Sequence, residues 1–209
     1  MDNPTRSLRT RTAVLEAALA IIARDGPGRL TLDAIAREAG LSKGGLMHQF
    51  ATKDAVLKAL LERQTEYFED FSRSYKAEFG VTQAQPCLAA QIATIREAMS
   101  TPSSIVFAIL GAAAHDPALH SGTREADAEK IKAIKAEASD PDLALLRWVA
   151  AWGLTLTTML GLSALSEDDR LRLFDRLLDE AQWSAAPKAK PQGDPSPPKR
   201  APRKKTESA

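Results

Sequence analysis

Residues 31–50 constrain this chain more tightly than any other stretch. Thr31 is a preferred helix N-cap, and Asp33 follows in the first turn, where the helix dipole favours an anion. Gly40 supplies the residue type that ends a helix. Ser42 is a second N-cap and opens another short helix, from Lys43 to about Phe50. Two short helices joined by a Gly-containing turn of about three or four residues form a helix-turn-helix. Ile35, Ala36, Ala39, Leu41, Leu46 and Phe50 make the apolar pin between them, and the small Ala36 and Gly40 permit close approach. Lys43, Gly44, Gly45, Met47, His48 and Gln49 are left facing outward. Such a polar, basic face suits the major groove of a duplex.

Gly, Pro and capping residues divide the rest of the chain into helices. No stretch shows the apolar–polar alternation and β-branched richness of a strand, so the expected fold is all-α. A first helix covers residues 5–25, with Leu8, Val14, Leu15, Ala18, Leu19 and Ile22 on its apolar side, and Gly26-Pro27-Gly28 stops it. Thr52 caps a long helix that reaches about Phe79. Helices are further expected from Pro86 to about Ser100, from Thr101-Pro102 to near His115, over about 122–138, over about 142–160, and from Ser166 to about Trp183. The predicted organisation is a three-helix helix-turn-helix domain over 5–53, a larger helical bundle over 54–184, and a tail over 185–209. In that tail, proline alternates with Lys and Arg, and almost nothing apolar remains to offset the entropy of ordering. It reads as a disordered basic segment.

Charge follows the same division. Residues 1–53 carry 8 basic and 5 acidic side chains, 54–185 carry 13 and 20, and 186–209 carry 7 and 2. A basic end on an acidic body suggests that only part of the chain meets a polyanion. The single cysteine, Cys87, excludes a disulfide framework and fits a reducing, cytoplasmic compartment. The start of the chain lacks the apolar stretch of a signal peptide. The run from Trp148 to Leu165 is apolar and 18 residues long, but Gly153, Thr155, Thr157, Thr158, Gly161 and Ser163 interrupt it. It reads as a helix buried both in its own subunit and against a partner, with no membrane contact.

Over residues 10–53 the sequence resembles the N-terminal domain of TetR-family transcriptional regulators. The resemblance is carried by Ala17-Ala18-Leu19 with Gly26, by Thr31-Leu32-Asp33-Ala34-Ile35-Ala36, by Gly40-Leu41-Ser42-Lys43-Gly44-Gly45-Leu46, and by His48-Gln49-Phe50 followed by Thr52-Lys53-Asp54. Residues 161–170 are similar to the junction of the last two helices in one branch of that family. The resemblance implies a ligand-released homodimeric repressor on a double-stranded, palindromic operator. DNA contacts would then come from Thr31, Ser42, Lys43, Gly44, Gly45, Met47, His48, Gln49 and Lys53. Met47 stands where many members have a tyrosine whose hydroxyl bonds a phosphate, and it cannot make that bond.

The body is expected to dimerise and to sense a ligand. Its last two helices present Leu145, Trp148, Val149, Leu156 and Leu160, then Leu171, Phe174 and Leu178, more apolar surface than one bundle needs. Tyr67, Phe71, Tyr75, Met99, Phe107 and Trp152 are the candidate lining of an apolar pocket. No charged cluster at inward positions is legible, so the expected effector is a small apolar or amphipathic molecule. His115, Asp116 and His120 straddle Pro117 and lack a further ligand, so no metal site is expected. No cofactor loop or nucleophile motif suggests an enzyme. The alternative is a helical sensing or scaffolding dimer that does not read DNA sequence.

Overall fold

The computed structural model describes residues 3–102, 105, 107 and 121–183, with the side chains of 3, 4 and 121–124 excepted. The basic tail, the His115–Asp116–His120 group and most of the helix expected after Pro102 lie outside those residues. Among the described residues there are eight α-helices and no strand. They are α1 (Asn3–Asp25), α2 (Leu32–Glu38), α3 (Lys43–Gln49), α4 (Lys53–Phe79), α5 (Pro86–Ala98), α6 (Ser121–Glu137), α7 (Pro141–Met159) and α8 (Glu167–Leu178). Short 3-10 turns cover Pro27–Arg29, Gly80–Thr82 and Glu180–Gln182.

The helix starts follow capping chemistry. The side chains of Thr31, Ser42, Thr52, Asp140 and Ser166 each accept the backbone N–H three residues on, at 3.0–3.1 Å. Each such cap stabilises its helix by about 1 kcal/mol. At the other end of α2, Gly40 takes φ +65°, a left-handed conformation that costs other residues strain and that starts the turn into α3.

Helices α1–α3 pack with the start of α4 as a head. Val14, Ala18, Ile22, Ile35, Leu46, Phe50, Val56 and Leu60 form its core. Burial of α1 begins at Val14, so the expected apolar Leu8 is instead 65% exposed, and the first turns of α1 run past the core. Ile105, from the body, is buried in this same cluster.

The body has α5 at its centre. Leu88, Ile92 and Ile95 meet Ile134 of α6, Ala144 and Ala151 of α7, and Phe174 and Leu177 of α8. Two polar side chains are buried here, each with a partner. Thr155 donates to the carbonyl of Ile95 at 2.9 Å. Arg147 donates to the carbonyl of Leu177 from Nε at 3.1 Å and from Nη2 at 2.6 Å, and from Nη1 to Gln85 Oε1 at 3.1 Å. Its guanidinium lies 5.5 Å from the centre of the Trp183 ring. Burial pulls its pKa below the ordinary arginine value, against the pull of Glu180 and Asp179.

Two carboxylates hold the start of α5. Glu180 accepts the N–H groups of Ala84 and Gln85, both at 2.7 Å, and Glu137 accepts that of Cys87 at 2.8 Å. A helix N-terminus favours such anions through its unpaired N–H groups and its dipole. No described helix is long and apolar enough to cross a membrane.

Candidate nucleic-acid interface

The second helix of the motif, α3, buries a single residue, Leu46, against the head core. Ser42, Lys43, Gly44, Gly45, Met47 and His48 are exposed along its outer side. A Cβ on Gly44 would meet nothing within 4 Å, so this side of the helix start is open. Gly45 is different, because its Cβ would stand 3.2 Å from Ser42 Oγ, the capping atom to which its own N–H donates. The hydroxyls of Thr31 and Ser42 serve as caps by accepting, and each retains its O–H as a donor.

Three more of the expected contact residues already have protein partners. Lys43 Nζ pairs with Asp33 on α2 at 2.9 Å, with both side chains exposed. Lys53 Nζ turns back toward the carbonyl of Pro27, at 3.5 Å. Gln49 Nε2 donates to Ser7 Oγ on α1 at 3.1 Å. Sequence reasoning misses Ser7 and Asp33 as members of this face; the spacing of 42 residues between Ser7 and Gln49 leaves no local signal.

The body's expected pocket is brought together in part. Phe71, Tyr75 and Met99 line one cavity of about 550 Å³, with Leu171 and Leu178. Tyr67, Phe107 and Trp152 do not line it. Tyr67 donates its hydroxyl to Glu97 at 2.7 Å and is half-exposed. Phe107 is also about half-exposed, and Trp152 stands edge-on to Trp148 at an exposed site. The expected absence of inward charge is corrected too, because Arg96, Glu97, Glu167 and Arg170 border the cavity. Arg96 is paired with Asp175 at 2.9 Å, and Arg170 donates to the carbonyl of Leu165 at 2.6 Å.

The expected dimer face divides in the same way. Val149, Leu156 and Leu171 are exposed, at 56%, 46% and 37%. Leu145, Trp148 and Leu178 are half-buried and pack on the body's own core, and Leu160 is half-buried. Phe174 is fully buried in that core and is withdrawn from the surface set. Leu146 and Leu173 are exposed apolar residues that periodicity alone does not place there.

Comparison with known proteins agrees with this architecture. Residues 14–60 match the profile described as bacterial regulatory proteins, tetR family, and residues 85–182 match that of the tetracyclin repressor-like C-terminal domain. The chain belongs to the TetR family of transcriptional regulators. As a member of the TetR family it is a DNA-binding regulator rather than an enzyme. No curated protein sequence matches it. Several solved structures share the fold. A TetR-family member from Streptomyces coelicolor A3 is 22% identical, with a TM-score of 0.58 over 80% of this chain and 97% of that one. A protein from Mesorhizobium loti MAFF303099, described as a TetR-family transcriptional regulator, is 19% identical, with a TM-score of 0.58 over 86% and 97%. The multidrug binding protein EbrR in complex with malachite green is 23% identical, with a TM-score of 0.56 over 80% and 96%.

Proposed function

We propose that this TetR-family chain is a homodimeric, sequence-specific repressor that a small ligand releases from its operator. The observation that carries this reading is the outer side of α3, which stays free of packing while Leu46 locks the helix to the head core. The division of labour follows residues 5–53 for DNA, 54–184 for sensing and dimerisation, and 185–209 as a basic tail adding phosphate contacts. Thr31, Ser42, Lys43 and Lys53 serve phosphates. Gly44 and Gly45 admit the helix start to the groove, and Met47, His48 and Gln49 face base edges. The exposed stripe of Val149 and Leu156, with Leu146, supports pairing through α7 and α8. A two-fold dimer places its two α3 helices in successive major grooves, roughly 34–36 Å apart. The protein works in the cytoplasm, where the chromosome is.

The cavity beside Phe71, Tyr75 and Met99 supports an aromatic, amphipathic effector. EbrR, which shares the fold, has been solved with malachite green. A ligand wedged between α4 and the body releases DNA only by the difference in its affinity for the two head spacings.

Selection of duplexes from a random library with the purified protein tests the reading. A palindromic consensus with half-sites about one helical turn apart is the expected result. Binding without a consensus, collapsing as salt rises, would instead favour the sensing or scaffolding dimer. The Lys43–Asp33 pair supplies a sharper prediction on the selected duplex. Asp33→Asn removes the competing carboxylate and tightens binding by roughly 3–10-fold, a change on the scale of about 1 kcal/mol. Lys43→Ala weakens binding and flattens the log–log salt slope by about 0.9 for each phosphate it no longer neutralises. Anisotropy titrations at several salt concentrations read both, and identical slopes for wild type and Lys43→Ala would remove Lys43 from the phosphate set.

A further inference from the structure

Met47 breaks the pattern of the face on which it stands. Along the outer side of α3, Lys43 carries an ammonium, His48 carries ring nitrogens, and Ser42 at the helix start carries a hydroxyl. Met47 has no such group, yet 47% of its surface is exposed. The α3 member of the head core is Leu46, and Met47 is neither in that core nor among the apolar residues packed against it. Three residues before Met47 lies Gly44, where a Cβ would meet nothing within 4 Å. Positions three apart share a helix face, so Met47 is open to approach from the helix start.

The chemistry of the side chain narrows what it can meet. A thioether donates no hydrogen bond and accepts only weakly, so a phosphate oxygen gains nothing from it. It offers soft, polarisable apolar surface on an unbranched stem that adapts to the shape opposite. The major-groove edges of the bases display hydrogen-bonding atoms and one apolar group, the C5 methyl of thymine. Covering a polar edge with methionine strips water from it and returns no hydrogen bond, which is unfavourable. Covering a methyl group removes apolar surface from water on both sides, which is favourable.

We propose that Met47 is a specificity-determining residue that reads thymine through its C5 methyl group, once in each half-site. The inference rests on the DNA-reading function proposed above. It is tested with the duplex that wild type selects from a random library, in which each thymine is replaced in turn by deoxyuridine. Deoxyuridine lacks the methyl group and pairs with adenine as thymidine does, so the change removes that contact and no hydrogen bond. Affinities are measured for wild type, Met47→Leu and Met47→Ala. Wild type is expected to lose about 4-fold at one thymine of a half-site, the worth of one buried methyl group. The same change in both half-sites costs about 16-fold, because distant sites add. Met47→Leu keeps an apolar side chain and keeps the loss at that thymine. Met47→Ala binds the thymine duplex more weakly than wild type and is indifferent to deoxyuridine there. A wild type with no sensitive thymine would overturn the proposal, and so would a sensitivity that persists undiminished in Met47→Ala. A wild type that selects no sequence overturns the DNA-reading function itself, and that outcome is visible before any variant is made. Met47 is exposed, so the alanine variant leaves the head core intact.

Discussion

Arg147→Ala lowers the unfolding free energy by about 3 kcal/mol, the scale of a buried charged network that loses one member. Three hydrogen bonds disappear together, two to the carbonyl of Leu177 and one to Gln85. The Leu177 carbonyl belongs to the last turn of α8, where the helix leaves its acceptors unpaired. The space left by the side chain adds a packing loss beneath the Trp183 ring. Thermal unfolding at fixed protein concentration should show a midpoint lower by roughly 10 °C for a domain of this size. Arg147→Lys recovers little, because a single ammonium cannot reproduce a planar fork that spans Leu177 and Gln85. An alanine variant that melts within about 2 °C of wild type would contradict this account, since that shift corresponds to less than about 1 kcal/mol.

In the dimer proposed above, Val149→Asp combined with Leu156→Asp is expected to give a monomer and to weaken operator binding by roughly 10²–10⁴-fold, the gain that linking two half-site contacts provides. Both side chains are exposed in the single subunit, so the carboxylates cost nothing in its own core. Buried across a two-fold interface, they would sit against apolar surface and each other's charge. Light scattering should report half the wild-type mass, and circular dichroism should report unchanged helix content. A wild type that is already monomeric would remove this face from the assembly.

The parts of the fold that are legible in the sequence are the parts set by local chemistry. Thr31, Ser42, Thr52, Asp140 and Ser166 cap their helices because a short side-chain oxygen meets an N–H three residues away. Gly40 marks the turn because the backbone there needs a positive φ. The pin of Ile35, Leu46 and Phe50 is buried as its spacing predicts. Helix bounds differ by a few residues at several ends, as where the last helix stops at Leu178 and Glu180–Gln182 form a separate turn.

Long-range choices are not legible. α7 is apolar on almost every side, so periodicity cannot say that Ala144 and Ala151 enter the core while Leu146 and Val149 face out. Phe174 and Leu171 lie three residues apart on α8, yet one is fully buried and the other exposed. Arg147 reads as the charged edge of an apolar run, and its burial depends on a carbonyl and an amide from two other segments. Nothing local to Arg96 and Glu97 sets them beside Phe71 and Tyr75; packing alone does. Asp33 and Ser7 are hidden for the same reason, because their importance lies in what they face across the head.

The carboxylate grip on the start of α5 fixes the backbone that follows α4. Glu180 fastens Ala84 and Gln85 just beyond the Gly80–Thr82 turn, while the opposite end of α4, through Val56 and Leu60, is built into the head. Its 27 residues give an arm about 40 Å long at 1.5 Å per residue. A tilt of about 5° about its far end would carry the head about 3.5 Å, the rise of one base pair. Amplification of this kind comes from arm length, and the head packing that must yield to it is the contact with Ile105 of the body.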